Sequence, residues 1–166
     1  MKKAGILIAL LLALTLVPGC VTTKGEGTPA QPVTTLDRIA QSGQLVVGTA
    51  GSMPPMNMTT KGGDVIGLEP DMANQMAAAM GVRAVFKTMP FAELLPALEA
   101  GKVDMVLSSM TITGKRNMKV AFVGPYFISG KTFLTTEKWA AAAKEPEEVN
   151  SPSTKLTALR GSTSQD

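Results

Sequence analysis

Short apolar runs alternate with helix-like segments through the middle of the chain. The runs QLVVGTA (44–50), VRAVFKT (82–88) and VDMVLSSM (103–110) have the length and composition of buried strands. Between them lie EPDMANQMAAAMG and FAELLPALEAG, and in the first of these Pro70 suits the first helical turn and Gly81 a left-handed C-terminal cap. Strands that alternate with helices predict βαβ units, so the expected fold class is α/β with a mostly parallel sheet.

Smaller signals predict helix boundaries and one helix face. Thr35 is expected to cap a short helix that ends at Gly43. Pro96 is compatible with its helix only if it lies in the first turn. Three methionines spaced four residues apart predict a stripe that packs against the core, namely Met72, Met76 and Met80.

The first twenty residues have the pattern of an export signal. Lys2 and Lys3 precede an apolar run, Ala4–Val17, which is shorter than the roughly 20 residues that a membrane-spanning helix needs. We therefore expect a signal peptide at residues 1–19. The sequence VPGC resembles a bacterial lipobox, which implies that Cys20 carries a lipid after cleavage. The alternative is an ordinary signal followed by an incidental cysteine.

Charge and composition exclude one class of partner. The full chain carries 16 Lys and Arg residues against 13 Asp and Glu residues, which gives a net charge of +3. Two of the basic residues belong to the expected signal, so the remainder is close to neutral. No basic run with interleaved aromatic residues predicts nucleic-acid binding. Residues 20–35 are rich in Thr, Gly and Pro and lack apolar periodicity, which predicts a flexible tether.

The last third of the chain carries weaker signals. VAFVGPYFISGKTFLTT (120–136) is expected to be extended, and residues 155–159 are expected to form a strand followed by a glycine turn. A strand without partners does not bury enough surface to offset the entropy of ordering it. We therefore expect that the sequence is incomplete after Asp166, and that the chain as written folds poorly and does not close around a ligand.

Four segments together resemble the family 3 extracellular solute-binding proteins, the polar-amino-acid receptors of ABC importers. They are LDRIAQSGQLVVGTAGSMPPM, VIGLEPDMANQMAAAMGV, PFAELLPALEAGKVDMVLSSMTITGKR and VAFVGPYFISGK, in this order and spacing. The resemblance implies a two-lobed periplasmic-binding-protein fold of type II, or Venus-flytrap fold, in which hinge closure clamps a solute between the lobes. It implies an incomplete first lobe at residues 36–130, and a hinge crossover with the start of a second lobe at residues 131–166.

Polar side chains at the end of the third predicted strand indicate a carboxylate site. SSMTITGKR places Ser108, Ser109 and Thr111 at the strand end, with Arg116 in the turn that follows. A guanidinium offers two parallel donors to the two oxygens of a carboxylate, and hydroxyl groups add further hydrogen bonds. These residues therefore predict a small carboxylate-bearing solute. The alternative is that Arg116 is a solvated residue of a surface turn.

The resemblance implies roles for these positions and for others. It implies that Ser109, Thr111 and Arg116 hold the α-carboxylate of an amino acid, and that Phe91 packs on its side chain. The alternative for Phe91 is a residue of the core. Near the chain end, a turn that opens a helix would present hydroxyl and backbone N–H groups to the same carboxylate, from Ser162 and Thr163.

The loop SMPPMNM departs from the family pattern. Ala50 stands where the family has an ammonium-binding Asp, and Met53 and Met56 stand where it has aromatic residues. Flexible methionine side chains are expected to form an apolar wall beside the carboxylate site, with Met53 in contact with the solute. The alternative is a Cu(I) site built from thioethers, although the chain has no histidine and its single cysteine is the expected lipid anchor.

An enzyme of the same fold is a further alternative. Some proteins of this fold dehydrate cyclic precursors of aromatic amino acids with acidic and polar groups in the cleft, whereas the cleft loops here contain no carboxylate. Because the chain has no histidine, catalysis based on histidine is excluded. We expect neither a catalytic step nor a cofactor.

The expected protein is a lipid-anchored receptor in the periplasm or at the cell surface. Its solute would be a small carboxylate such as an amino acid or a relative of one. Its other partners would be an ABC permease in the membrane and, through Cys20, the lipid bilayer.

Overall fold

Six strands form two small sheets in the computed structural model, which describes residues 33–165. The strands in chain order are β1 (Gln44–Thr49), β2 (Ser52–Met53), β3 (Asn57–Thr59), β4 (Val65–Ile66), β5 (Arg83–Thr88) and β6 (Met105–Val106). One sheet has the order β5-β1-β6 and is parallel throughout, so the predicted α/β class with a parallel sheet is confirmed. The other sheet, β2-β3-β4, is antiparallel and follows β1 directly.

Helices connect the strands of the parallel sheet. In chain order, the α-helices among the described residues are α1 (Thr35–Ser42), α2 (Leu68–Ala79), α3 (Leu94–Glu99), α4 (Gly114–Asn117), α5 (Lys138–Ala141) and α6 (Pro146–Val149). The predicted helix over 91–101 is divided, because a 3-10 turn, Phe91–Glu93, precedes α3. Pro96 lies in the first turn of α3, as predicted, where its missing N–H removes no helical hydrogen bond.

The core lies where the central strand meets the flanking helices. Val47 of β1 is fully buried, together with Ala73 and Ala77 of α2 and Leu107 after β6. Burial of apolar side chains against the central strand is the main favourable term in folding. The sheet and its helices therefore hold the carboxyl ends of β1, β5 and β6 at one edge.

The helix caps largely follow the sequence. Gly43 ends α1 with a left-handed φ of 65°, as predicted. The N-cap of α1 is Thr34 rather than Thr35, and the Thr34 hydroxyl accepts a hydrogen bond from the backbone N–H of Asp37 while the Asp37 carboxylate accepts one from the backbone N–H of Thr34. The cap moved by one residue because Asp37 is correctly spaced for this reciprocal pair only with Thr34. Gly81 follows α2 with a φ of 68°, as predicted.

The predicted methionine stripe of α2 is wrong. Met76 and Met80 are 40% and 43% exposed, and only Met72 packs against the core cluster. The buried face of α2 instead carries Glu69, Pro70, Ala73 and Ala77. Small side chains allow the helix to approach the sheet closely, so the methionines lie at the border of the contact rather than in it.

The predicted strands of the last third do not form. Residues 155–159 contain no strand, and residues 120–136 carry neither a helix nor a strand. The strand predicted over 103–110 is restricted to β6, because Ser109 adopts a left-handed φ of 48° that turns the chain away from the sheet. The predicted boundary between lobes near residue 130 stays a prediction.

The expected signal peptide, the lipid site at Cys20 and nearly all of the expected tether lie outside the described residues. Within residues 33–165, no helix combines the length and the hydropathy that crossing a membrane requires.

Candidate functional site

A cavity of about 700 Å³ lies beyond the carboxyl ends of the parallel strands. Seven of the eight predicted solute-binding residues line it, in three groups that come from separate parts of the chain. The groups are Met53 and Phe91, then Ser109, Thr111 and Arg116, and finally Ser162 and Thr163. The sequence therefore identified residues that the fold brings together at one place.

Arg116 is held at the cavity by short-range structure and by a distant carbonyl. It lies in α4, whose N-cap Thr113 accepts a hydrogen bond from the Arg116 backbone N–H at 3.2 Å. Its Nη1 donates to the Thr111 carbonyl and its Nη2 to the Gly161 carbonyl, both at 2.7 Å. The guanidinium carbon lies 5.8 Å from the centre of the Phe91 ring, within the range of a cation–π interaction.

The Arg116 guanidinium retains capacity for a ligand. A guanidinium has five N–H donors, and two of them bond to backbone carbonyls among the described residues. The side chain is half-buried, and Phe91 beneath it is buried. A fixed, partly desolvated cation with free donors is the arrangement that binds a carboxylate.

Ser109 has a left-handed backbone conformation, and its hydroxyl already donates a hydrogen bond within the protein. Its φ of 48° makes it the one non-glycine residue with positive φ among residues 33–165. Its backbone N–H and its hydroxyl both donate to Oε1 of Glu69, at 2.5 and 3.0 Å. The hydroxyl as placed therefore offers a ligand its oxygen lone pairs rather than its proton.

Ser108 lies apart from the other predicted residues. It is buried, and its hydroxyl oxygen accepts a hydrogen bond from the backbone N–H of Ala50 at 2.9 Å. The side chain does not line the cavity; its bond joins the ends of β1 and β6. The structure thus gives Ser108 a contact inside the fold.

Glu69 and Tyr126 belong to the site but were missed by the sequence reasoning. The Glu69 carboxylate is 0% exposed, and the Tyr126 hydroxyl donates to its Oε1 at 2.5 Å. Burial, followed by this hydrogen bond and by the charge of Glu69, raises the pKa of Tyr126 well above its usual range. One signal was present, because Glu69 shares a four-residue spacing with Ala73 and Ala77 on the buried face of α2.

Residues near the end of the chain close one side of the cavity. The hydroxyl oxygens of Thr111 and Thr163 lie 3.5 Å apart, and Lys131 Nζ donates to the Thr163 carbonyl. Residues 160–164 form turns, so the helix start that was expected to present Ser162 and Thr163 is not formed among the described residues.

The lining combines positive charge with apolar surface. Arg116 and Lys131 are its cationic residues, and the lining contains no Asp or Glu among the residues that the structure describes. Met53 and Met56 line the cavity, whereas Met58 does not and is largely exposed. In residues 33–165, no group of three or more His, Cys, Asp or Glu side chains is arranged to hold a metal ion.

A second cavity of about 810 Å³ adjoins the first and shares Phe91 and Leu159 with it. Ala50 lines this second cavity, together with Glu93 and Arg160. Ala50, where the resemblance implies an ammonium-binding Asp, therefore lines the second cavity and not the one that Arg116 lines.

Comparison with known families and proteins identifies relatives of this chain. The model of the bacterial extracellular solute-binding proteins, family 3, matches residues 45–159. The L-arginine-binding protein of Pseudomonas aeruginosa is 31% identical over 137 residues, which are 82% of this chain and 52% of that protein. The chain thus spans about half the length of this relative. Other curated relatives are named for binding cystine or histidine, and one is named cyclohexadienyl dehydratase.

Solved structures give the same result for the fold. The ancestral amino acid-binding protein AncCDT-1, a precursor of cyclohexadienyl dehydratase, matches with a TM-score of 0.75 and 37% identity, over 80% of this chain and 58% of that one. The arginine-bound form of domain 1 from TmArgBP, of T. maritima, matches with a TM-score of 0.53 and 37% identity, over 55% of this chain and 72% of that one. Neighbours such as AncCDT-1 have the two-lobed α/β fold of periplasmic amino-acid-binding proteins, and the prediction of this fold is confirmed.

Proposed function

Because the chain belongs to the bacterial extracellular solute-binding proteins of family 3, we propose that it captures a small carboxylate-bearing solute for an ABC importer. The solute would be an amino acid or a relative of one. The observation that carries the proposal is Arg116, which is fixed over Phe91 with free donors in a cavity of suitable size. Binding is reversible and involves no covalent step.

The carboxylate of the solute would bond to the free donors of Arg116 and to the Thr111 and Thr163 hydroxyls. A hydrogen bond to a charged group contributes on the order of 1.5 to 3 kcal/mol. Met53 and Met56 would pack against the apolar part of the solute and adapt to its shape. The charged end of the solute would thus be bound specifically, whereas its apolar end could vary in shape.

The charge of the lining favours anionic solutes over cationic ones. Arg116 and Lys131 face the cavity, and the Glu69 carboxylate beneath it is fully buried and bonded to four donors. A cationic side chain would meet two like charges, which disfavours it at short range. We therefore expect acidic or neutral amino acids and small dicarboxylates to bind more tightly than arginine.

A single lobe of a relative supports binding by a chain of this extent. Domain 1 of TmArgBP was solved in its arginine-bound form, and it corresponds to 55% of this chain. The cavity described above lies within residues 33–165. We propose that this part of the protein holds the solute without requiring a complete second lobe.

The proposed place of action is the periplasm or the cell surface. The family is extracellular and several relatives are named periplasmic, which supports an exported receptor. We propose that Cys20 carries the lipid anchor and that the residues between Cys20 and the N-cap Thr34 act as the tether. Replacing Cys20 with Ala should then move the protein from the membrane fraction to the soluble fraction, and unchanged membrane attachment would contradict the anchor.

A binding function is favoured over a catalytic one by the lining of the cavity. None of its described residues is a carboxylic acid, a histidine or a cysteine. The groups there that could transfer a proton are Tyr126, whose hydroxyl is bonded to Glu69, and Lys131, which is bonded to the Thr163 carbonyl. Of the three methionines in the loop that raised the thioether alternative, Met53 and Met56 line the cavity and Met58 does not.

The test is calorimetric binding of a panel of amino acids and small carboxylates to the full chain and its variants. Arg116→Ala should weaken binding of the best solute about tenfold to a hundredfold, the factor expected for one or two charge-assisted hydrogen bonds. Lys115→Ala removes the same charge from the neighbouring exposed position and serves as the matched control. Equal affinities of the two variants, or no saturable binding of any solute, would refute the proposal.

A further inference from the structure

One buried carboxylate connects three segments that line the cavity. Oε1 of Glu69 accepts hydrogen bonds from the Ser109 backbone N–H, the Ser109 hydroxyl and the Tyr126 hydroxyl. Oε2 accepts from Nδ2 of Asn57 at 2.5 Å. Asn57 in turn accepts from the backbone N–H of Ser52, beside Met53, at 3.1 Å. The Met53 strand, the Ser109 turn and the Tyr126 segment therefore meet at one side chain.

The bonds to Ser109 hold a backbone conformation that serine rarely adopts. A positive φ is unfavourable for residues other than glycine unless surrounding structure stabilises it. At Ser109 the stabilisation comes from two hydrogen bonds to one carboxylate oxygen. This turn directs residues 109–111 toward the cavity that Arg116 also lines.

The orientation of Asn57 is fixed by its two partners. Its Oδ1 accepts from Ser52, so its Nδ2 must face Glu69. Asn57 is 0% exposed, and water cannot replace either partner. Replacing the Glu69 oxygen that accepts from Asn57 with an N–H donor would therefore bring two donors face to face.

We propose that Glu69 is a positioning residue of the solute site, which holds the Ser109 turn, Tyr126 and the Met53 strand in the arrangement that binds the solute. The proposal rests on the proposed function for its solute. Glu69 is fully buried and absent from the cavity lining, so it acts through its partners rather than by touching the solute. A buried charge contributes little net stability, because the cost of removing it from water offsets its interactions. The Glu69 carboxylate serves here to fix the positions of its hydrogen-bonded partners relative to one another.

The first variant is Glu69→Gln, which keeps the size of the side chain and replaces one acceptor with a donor. If the Gln oxygen bonds Ser109 and Tyr126, its NH₂ group opposes Nδ2 of Asn57, and two buried donors lose their partner. We expect about a tenfold loss of affinity for the best solute, because the lining segments shift. Binding should be measured at a temperature well below the melting transition of each variant.

The rescue variant distinguishes positioning from general damage. In Glu69→Gln with Asn57→Asp, one Asp oxygen accepts from Ser52 and the other accepts from the new amide. The double variant thereby restores each donor–acceptor pair and the net charge, and affinity should return to within about threefold of the original. Asn57→Asp alone places two carboxylates together and is the matched single variant.

Two outcomes would overturn the proposal. One is a folded Glu69→Gln variant that binds with unchanged affinity. The other is a double variant that recovers the stability of the original chain but not its affinity. Should Glu69→Gln fail to fold, Tyr126→Phe replaces it: Tyr126 is 39% exposed, and losing one donor should weaken binding about threefold, whereas unchanged affinity would overturn the proposal.

A readout without ligand separates this proposal from the proposed function. Tyr126 is the only tyrosine of the chain, so its ultraviolet absorption follows its ionisation alone. In Glu69→Gln, Tyr126 should ionise at a lower pH and the Ser109 amide should exchange its hydrogen faster, and the faster exchange should be reversed in the double variant. If no solute binds the original chain, the proposed function fails, and these two signals alone decide the positioning role: unchanged signals overturn it.

Discussion

Gly67 gives the sharpest test of how the site is built, because its backbone conformation and its surroundings both exclude a side chain. Its φ is 128°, and a Cβ placed on it would lie 2.5 Å from the Met56 carbonyl oxygen and 2.8 Å from that of Pro55. Gly67 immediately precedes α2, where the backbone N–H of Leu68 donates to the Pro55 carbonyl at 3.3 Å and that of Glu69 donates to the Met56 carbonyl at 3.0 Å. The glycine therefore sets the position from which Glu69 reaches Ser109.

The expected cost of Gly67→Ala has two parts. The positive φ costs roughly 1 to 3 kcal/mol for a residue with a Cβ. The contact at 2.5 Å between the added Cβ and the Met56 carbonyl oxygen forces the start of α2 away from the Pro55 and Met56 carbonyls. The two backbone hydrogen bonds to these carbonyls are then lost, at a cost of roughly 1 kcal/mol each. The free energy of unfolding should fall by roughly 3 to 5 kcal/mol in total.

Gly63→Ala is the matched control, because Gly63 has a φ of 93° and nothing within 4 Å of the added Cβ. Gly63→Ala should therefore lose only the free energy that results from the positive φ. Urea unfolding of the full chain and both variants, followed by circular dichroism, gives the free energies by linear extrapolation. Gly67→Ala should lose roughly 2 kcal/mol more than Gly63→Ala. Equal losses would show that the close approach to Met56 does not constrain the helix and would refute this reasoning.

Two further predictions concern the core and the response to pH. Leu94→Ala should lower the free energy of unfolding by about 2 to 5 kcal/mol, because Leu94 is fully buried beside Gly48. The control is Leu156→Ala, at an exposed position, which should change this free energy by less than about 0.5 kcal/mol. Similar losses in the two variants would contradict this packing. The raised pKa of Tyr126 stabilises the fold below its ordinary value of about 10, and this contribution is lost as pH rises above that value. The alkaline decline in stability should therefore be shallower in Tyr126→Phe, and parallel pH profiles of the two proteins would contradict the link.

The sequence predicted the parallel sheet because each element has its own local signal. The run of β1 is apolar, and Gly81 and Gly43 mark helix ends by their chemistry. The meeting of Ser109, Thr111 and Arg116 at one cavity was also predictable, since these residues lie within eight residues of one another. Because these residues are close in sequence, their types alone indicated that they share one site.

The role of Glu69 could not be predicted because its partners are distant in sequence. Ser109 is 40 residues away and Tyr126 is 57 residues away, and no local pattern joins them. The methionine stripe failed for a related reason: helical spacing predicts that Met72, Met76 and Met80 share a face, but neighbouring elements decide which face is buried. The strand at 155–159 failed because strand formation requires a partner, and the described residues pair none with it.

The bond between Arg116 and the Gly161 carbonyl leaves one Arg116 donor available to a ligand only by exchange, beside the donors that remain free. A solute that takes this donor must displace a carbonyl oxygen already bound at 2.7 Å, so it gains only the difference between two hydrogen bonds. A neutral amide would exchange one carbonyl for another and gain almost nothing. A carboxylate adds the attraction of opposite charges to the hydrogen bond and retains a net advantage. At this donor the internal carbonyl would therefore disfavour neutral look-alikes more than anions.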